Sequence, residues 1–267
     1  MSTPPEELAQ GAVVVVKGHR TVARRALAPG HLSQMRSLAP GGVTGRTTRR
    51  VRPLAVLFLA MDSPADAAIR LQVPEDAAAL RDVIGRAFEA HPEVVALEEA
   101  LAQRSDSTGY VALFDDRVVG HVRLTRGWID AEARLVEVLV LSPLSVAPEW
   151  QRRGIGRALV AHAVAEAKRA GVPAVFLEGD PAYYVRLGWR PASELGVTPP
   201  SARIPKPACQ AVPLPGWEPW MRGALVYAET FWALDCVGLR GDILARARAS
   251  LGDGTASGSS GQPGTHR

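Results

Sequence analysis

Between Leu135 and Ala170 the chain passes from a nearly unbroken apolar run, through a glycine-bearing turn, into a long helical pattern. No other stretch narrows the choice of fold as much. Leu135 to Leu141 is interrupted only by Glu137 and continues as Ser142-Pro143-Leu144-Ser145-Val146, which predicts a central, largely buried strand. The pattern from Arg152 to Ala170 predicts a helix, stopped by Gly171 with Pro173 beyond it. A strand that feeds a helix through Gly154-Ile155-Gly156 forms an anion site. The amides from Arg152 to Arg157 are the unpaired donors of a helix start, and the helix dipole adds positive potential. Gly154 and Gly156 let a phosphate approach the backbone with no Cβ in the way, while Arg152, Arg153 and Arg157 supply charge. A Gly-x-Gly alone is also common in turns and helix packing. The rival phosphate motifs are excluded, because there is no third glycine for a dinucleotide fingerprint and no Gly-Lys-Ser/Thr for a P-loop.

The remaining pattern builds a layer around that unit. Ile69, Leu71 and Val73 alternate as a short strand, and Pro74-Glu75-Asp76 opens a helix expected to run to about Ala90. A second helix is expected from Val94 to Arg104, then a hairpin of Tyr110–Phe114 and Val118–Leu124 turning at Asp115-Asp116. Ala174–Leu177 reads as a strand and Pro181–Leu187 as a short helix with Asp180 as its N-cap. After Trp189 the chain is rich in proline and reads as irregular, apart from one strand near Cys209–Leu214. The order β-α-α-β-β-β-α-β-α-β points to an α+β or mixed α/β layer with one main sheet.

Charge and cysteine set the outer limits. The net charge is +4, but residues 1–60 hold nine bases against two acids, which leaves the rest at −3. The basic excess therefore belongs to an N-terminal segment that lacks periodicity, and says little about what the folded body binds. Residues 1–65 are expected to be a disordered basic extension, with Met61 a candidate initiator; an internal leader starting near Met35 is the lesser alternative. Residues 66–235 are expected to form the domain, and 236–267 a helix remnant and a flexible Gly/Ser tail. Twenty-eight of the 31 basic residues are arginine and Asn is absent, a composition that suits a GC-rich bacterial genome. Cys209 and Cys236 form neither a disulfide framework nor a zinc pattern, so a reducing cytoplasm and no metal are expected. No apolar run is long enough for a membrane helix.

Taken whole, Gln151-Arg152-Arg153-Gly154-Ile155-Gly156 resembles motif A of the GNAT superfamily of N-acetyltransferases, Q/R-x-x-G-x-G/A, with Leu144-Ser145-Val146-Ala147-Pro148 where that family has its Leu-x-Val-x-Pro. Tyr184-Val185-Arg186-Leu187-Gly188-Trp189 is similar to the family's Tyr-x-x-x-Gly-Phe. Gly179-Asp180-Pro181-Ala182-Tyr183-Tyr184 resembles a bacterial subgroup whose acceptor is generally unassigned. The resemblance spans about residues 66–235. It implies a GNAT fold: a mostly antiparallel twisted sheet flanked by helices, in which the strand before the cofactor helix splays from its neighbour.

It also implies acetyl-CoA as cosubstrate and a primary amine as acceptor. Leu144, Ser145 and Val146 become the expected contacts of the pantetheine arm, and Gln151, Arg152, Arg153, Gly154, Ile155, Gly156, Arg157 and Ala158 the expected pyrophosphate cradle. A backbone N–H near Val146 is expected to polarise the thioester carbonyl. Tyr184 matches the family tyrosine that protonates the departing thiolate, a role that suits a phenol still protonated near neutrality. Tyr183 is expected to pack. For the general base, Glu137 is the expected residue, since it interrupts the apolar strand, with His121 the alternative on the neighbouring strand. Trp128, Trp217, Trp220 and Trp232 are candidates for an acceptor pocket. Exposed sheet edges allow a homodimer. A non-catalytic acyl-CoA sensor is the alternative function, and nucleic-acid binding through the basic extension ranks last.

Overall fold

Two aspartates set the first hairpin. Asp115 and Asp116 both adopt positive φ, 46° and 60°, the tight geometry that joins antiparallel strands with matching twist. The computed structural model describes residues 67–252 apart from Ala90. The basic extension, the Met61 start, the internal leader and the Gly/Ser tail lie outside the described residues. Strands β2 (Ser107–Phe114) and β3 (Arg117–Ala131) flank the turn, and β3 runs on well beyond the expected Leu124 because β4 (Leu135–Val146) and β9 (Gly223–Val226) cover it. Strand β1 (Ala68–Leu71) pairs with β2, and β4 (Leu135–Val146) pairs with β3. With β5 (Ala174–Glu178), β6 (Arg190–Pro191), β7 (Val197–Thr198) and β8 (Cys209–Pro213), the sheet order is β1-β2-β3-β4-β5-β8-β6, antiparallel except where β4 meets β5, with β9 beside β3 and β7 parallel to β9.

Alternation along β2 assigns the two faces. Tyr110 and Ala112 join Val122, Leu124, Leu141 and Leu144 beneath α3 (Ile155–Arg169), which lays down Ile155, Leu159, Val160, Ala163 and Ala167. That spacing is the apolar stripe of an amphipathic helix, and each fully buried Leu or Ile contributes about 1.5–3 kcal/mol. Val111 points the other way, to Leu80 and Ile84 of α1 (Ala77–Ala87) and Val94 of α2 (Glu93–Ala102). The second face continues through Val138, Val140 and Phe176 into a core completed by the C-terminal third.

That third is more ordered than its prolines suggest. It adds β6 (Arg190–Pro191), β7 (Val197–Thr198), β8 (Cys209–Pro213), β9 (Gly223–Val226), α5 (Glu229–Ala233) and α6 (Gly241–Leu251). Of these, β8 and a C-terminal helix were expected. The others are short, and tertiary pairing rather than local pattern makes them: Gly223–Val226 is a strand because Trp128–Ala131 lies beside it. The short α4 (Pro181–Tyr184) starts as expected, with the Asp180 carboxylate accepting from the Ala182 N–H at 2.8 Å.

The largest correction concerns α3, which begins at Ile155 and not at Arg152. Arg152 and Gly154 take positive φ, 61° and 83°, so the chain turns twice before it can enter a helix. No helix among the described residues is long and apolar enough to cross a membrane.

Candidate functional site

The centre of the molecule is a strand with one open side. β4 and β5 pair through Leu139↔Val175 and Val140↔Phe176 and then part. A bulge opens where Val122↔Leu144 and Leu124↔Leu141 leave two residues, Ser142 and Pro143, opposite Arg123. Beyond it, Ala147 N donates to Val119 O at 2.9 Å. Antiparallel alternation then turns the N–H and C=O groups of Leu144 and Val146 away from β3, into the gap left by β5. These are two of the three residues expected to meet the pantetheine arm; the third, Ser145, pairs with His121 and turns its backbone groups to β3.

The gap leads to the turn before α3. The N–H groups of Arg153, Gly154, Ile155 and Gly156 have no backbone acceptor among the described residues, so four donors face one end of the gap at a helix N-terminus. A Cβ on Gly156 would lie 3.1 Å from Tyr183 Oη and 3.7 Å from Val146 Cγ2, so the glycine keeps this corner open. The exposed Arg152, Arg153 and Arg157 surround it, with the Arg153 guanidinium 4.7 Å from the Trp150 ring centroid. Three expected members of the cradle do other work. Gln151 turns its amide back to Val146 O at 3.0 Å, Ile155 is buried in the core, and the Ala158 N–H makes the first helical bond to Gly154 O. The acid-ligand chemistry of a metal centre has no counterpart: no group of three or more His, Cys, Asp or Glu stands ready to hold a cation among the described residues.

The two tyrosines differ. Tyr184 is fully buried under β5 against Trp189 and Gly179, and its Oη has no hydrogen-bond partner. Desolvation pushes its pKa well above that of a free phenol, so it holds its proton throughout the physiological range. Tyr183, edge-on to it at 4.9 Å, brings its hydroxyl to the glycine turn itself, a placement the packing expectation missed.

Glu137 lies elsewhere. It is 55% exposed near the start of β4, 3.7 Å from Arg126, beside an open cleft of about 630 Å³ that also borders Asp106, Glu166 and Arg169. That cleft is on the α3 face near the C-terminal end of the helix. About five residues of strand, roughly 16 Å, separate Glu137 from the bulge.

Opposite the open half of β4, on the α1/α2 face, stands a polar cluster in an otherwise apolar core. His121 and Arg123 are buried, and Arg123 makes two bonds to Glu98 at 2.7 and 2.6 Å. Arg123 also donates to Gln72 Oε1 at 2.7 Å and to Ser107 Oγ at 3.2 Å. Gly109 makes room for this, since a Cβ there would come within 2.0 Å of Gln72 Oε1. His121 Nε2 lies 3.1 Å from Gln72 Oε1 and 3.4 Å from Glu98 Oε1. His121 Nδ1, Ser142 Oγ and Ser145 Oγ are buried with no partner. A buried polar atom left unpaired costs about 1–3 kcal/mol, and these three share one patch of the sheet. The readable signal was the alternation of His121, Arg123 and Thr125 along a buried strand face.

A second buried acid closes the end of β5. Glu178 accepts from the Gly238 N–H at 3.2 Å, and burial pushes its carboxyl up to about 8. It faces Cys209 across the strand pair, whose thiol burial also raises. Trp217 and Trp220 pack against the C-terminal core, while Trp232 is 42% exposed.

Known proteins resemble this chain in sequence and fold. The profile of the acetyltransferase (GNAT) family matches residues 77–189. The uncharacterized N-acetyltransferase YjhQ of Escherichia coli is 30% identical over 120 residues, which cover 44% of this chain and 66% of that protein, just under two thirds of its length. Among solved structures, the Escherichia coli N-acetyltransferase YhbS in complex with CoA is 26% identical with a TM-score of 0.57, covering 66% of this chain and 95% of that one. A GNAT family acetyltransferase from Brucella melitensis in complex with acetyl-CoA is 27% identical with a TM-score of 0.51, over 62% and 98% of the two chains.

Proposed function

We propose that the chain is an acetyltransferase of the GNAT family, a reading supported by its match to that family's profile and its likeness to YjhQ and YhbS, and that it transfers the acetyl group of acetyl-CoA to a primary amine by direct attack. One observation carries the reading: the edge of Leu144 and Val146 that no strand pairs, with Val146 O accepting from the Gln151 amide, leads to a helix N-terminus with unbonded amides. The edge suits the amide groups of a pantetheine arm, and the amides suit a pyrophosphate. The CoA and acetyl-CoA bound to YhbS and to the Brucella melitensis protein support it.

In this reading Leu144 and Val146 hold the arm by β-type hydrogen bonds, and the amides from Arg153 to Gly156 hold the phosphates, with the surrounding arginines adding charge. Holding both reactants in one orientation supplies much of the acceleration that acyl transfer needs, and the reaction requires no protein nucleophile. The Val146 N–H, aimed into the gap, is the donor for the developing oxyanion. Tyr184 Oη donates its proton to the departing thiolate. Its unpaired hydroxyl suits a hydrogen-bond donor to the departing sulfur, and burial keeps it protonated until the thiolate forms. Glu137 is too far along the strand for the base role. The two cysteines, buried and free, suit a reducing cytoplasm.

Release of CoA from acetyl-CoA, followed with primary amines for the full chain and its Tyr184→Phe variant, tests the proposal. Turnover that falls in the variant while acetyl-CoA affinity holds supports it. A wild-type protein that binds acetyl-CoA and acetylates no amine is a sensor, and the proposal fails.

A further inference from the structure

The unpartnered atoms around His121 decide which of its nitrogens carries the proton. Gln72 Oε1 receives the Arg123 guanidinium, so that atom is the carbonyl oxygen of the amide. Both neighbours of His121 Nε2, Gln72 Oε1 and Glu98 Oε1, are therefore proton acceptors. The ring proton sits on Nε2, held by a carboxylate, and Nδ1 is left with a bare lone pair. That lone pair is buried and unbonded, directly across the sheet from Ser145 on the half of β4 that β5 leaves open. Ser145 Oγ and Ser142 Oγ are unbonded beside it, on the face that α1 and α2 cover, whereas Tyr184 lies among the residues packed under α3. An imidazole oriented by a carboxylate, with its second nitrogen free at the reacting strand, has the arrangement of a proton acceptor.

We propose that His121 Nδ1 takes the proton that the acceptor amine gives up as its bond to the acetyl carbon forms, with Ser142 and Ser145 lining the space between them. This rests on the acyl-transfer reading above. The amine lone pair attacks the thioester carbon, the carbon–sulfur bond breaks, and its electron pair leaves on sulfur. One proton passes from nitrogen to His121 Nδ1 and one from Tyr184 Oη to sulfur, so the products are the amide and CoA thiol. Exchange with solvent then restores both side chains. Glu98, from α2, stabilises the imidazolium while it lasts. Arg123 on β3 opposes it, and Asp76 from the turn before α1 favours it. Burial lowers the His121 pKa to about 4, which keeps the ring neutral and able to accept before each turnover.

Ring-nitrogen NMR of the full-length protein reads the tautomer without any acceptor: a bare Nδ1 and a protonated Nε2 are expected, and a proton on Nδ1 overturns the proposal. In CoA-release assays with acetyl-CoA and either spermidine or a lysine-containing peptide, His121→Gln should lower kcat about 100-fold, within the range for loss of a general base. Acetyl-CoA Kd should stay within about twofold, since the residue lies outside the cradle. His121→Ala should regain turnover on addition of imidazole, and the acid limb of the wild-type rate profile should vanish in His121→Gln. A His121→Gln protein that keeps more than about half of its kcat overturns the proposal. So does a loss that imidazole does not rescue and that leaves the pH profile unchanged, which marks a structural role. Failure of the wild-type protein to bind acetyl-CoA is a different result: it removes the acyl-transfer reading itself.

Discussion

The two halves of β4 are one strand in two situations. From Leu135 to Leu141 it has β3 on one side, and β5 pairs with it at Leu139 and Val140 on the other; its outward residues, Leu135 and Glu137, reach water. From Ser142 to Val146 it has β3 alone, every residue is buried, and two hydroxyls are unpaired. A sheet edge inside a protein, with buried polar atoms left over, costs stability that the first half does not give up. Such a cost persists where the geometry serves a ligand. In the proposed reading the closed half is the scaffold and the open half the site, and the bulge at Ser142-Pro143 divides them.

Substitutions at the two halves should separate in that order of effect. Gly154→Val forces a β-branched residue into a left-handed turn at the end of the open half, and should weaken acetyl-CoA binding about 100-fold or more by calorimetry, or about 2.7 kcal/mol. Tyr184→Phe should lower turnover about 100-fold. Its melting temperature should stay level or rise, because the hydroxyl removed had no partner to lose. Glu178, beside the open end on β5, should show itself in stability against pH. Its folded pKa of about 8 lies above the usual value near 4.3, so the folded chain binds a proton that the unfolded chain has released. Stability is then full below about pH 4.3 and falls as pH rises to about 8, by a few kcal/mol at most. Urea unfolding of Glu178→Gln should lack that fall. In the closed half, Glu137→Gln removes an exposed charge 3.7 Å from Arg126 and should change kcat/KM less than about twofold.

Much of this was legible in the residues, and the exceptions have a common cause. The buried strand, the glycine turn, the Asp115-Asp116 hairpin and the Asp180 cap are local signals, written in spacing and turn chemistry. The start of α3 was set too early because helical composition continues back to Arg152, while the positive φ values that delay the helix depend on how the turn must close. Glu137 drew attention as a charge in an apolar run, yet alternation puts it on the α3 face, and a strand pattern cannot say at which point a neighbour departs. The partners of His121 come from three places, Gln72 after β1, Glu98 on α2 and Arg123 on β3, and meet only in the folded sheet. The small strands after Trp189 were unreadable for the same reason: β9 exists because β3 lies next to it.

The central claim is that the open half of β4 and the turn before α3 form an acyl-CoA site. Isothermal titration of the full chain with acetyl-CoA, beside free CoA and the Gly154→Val variant, tests it most directly. One-site binding by the wild-type protein, lost in the variant, is the predicted result. Absence of binding at millimolar ligand, or equal binding by the variant, would contradict it.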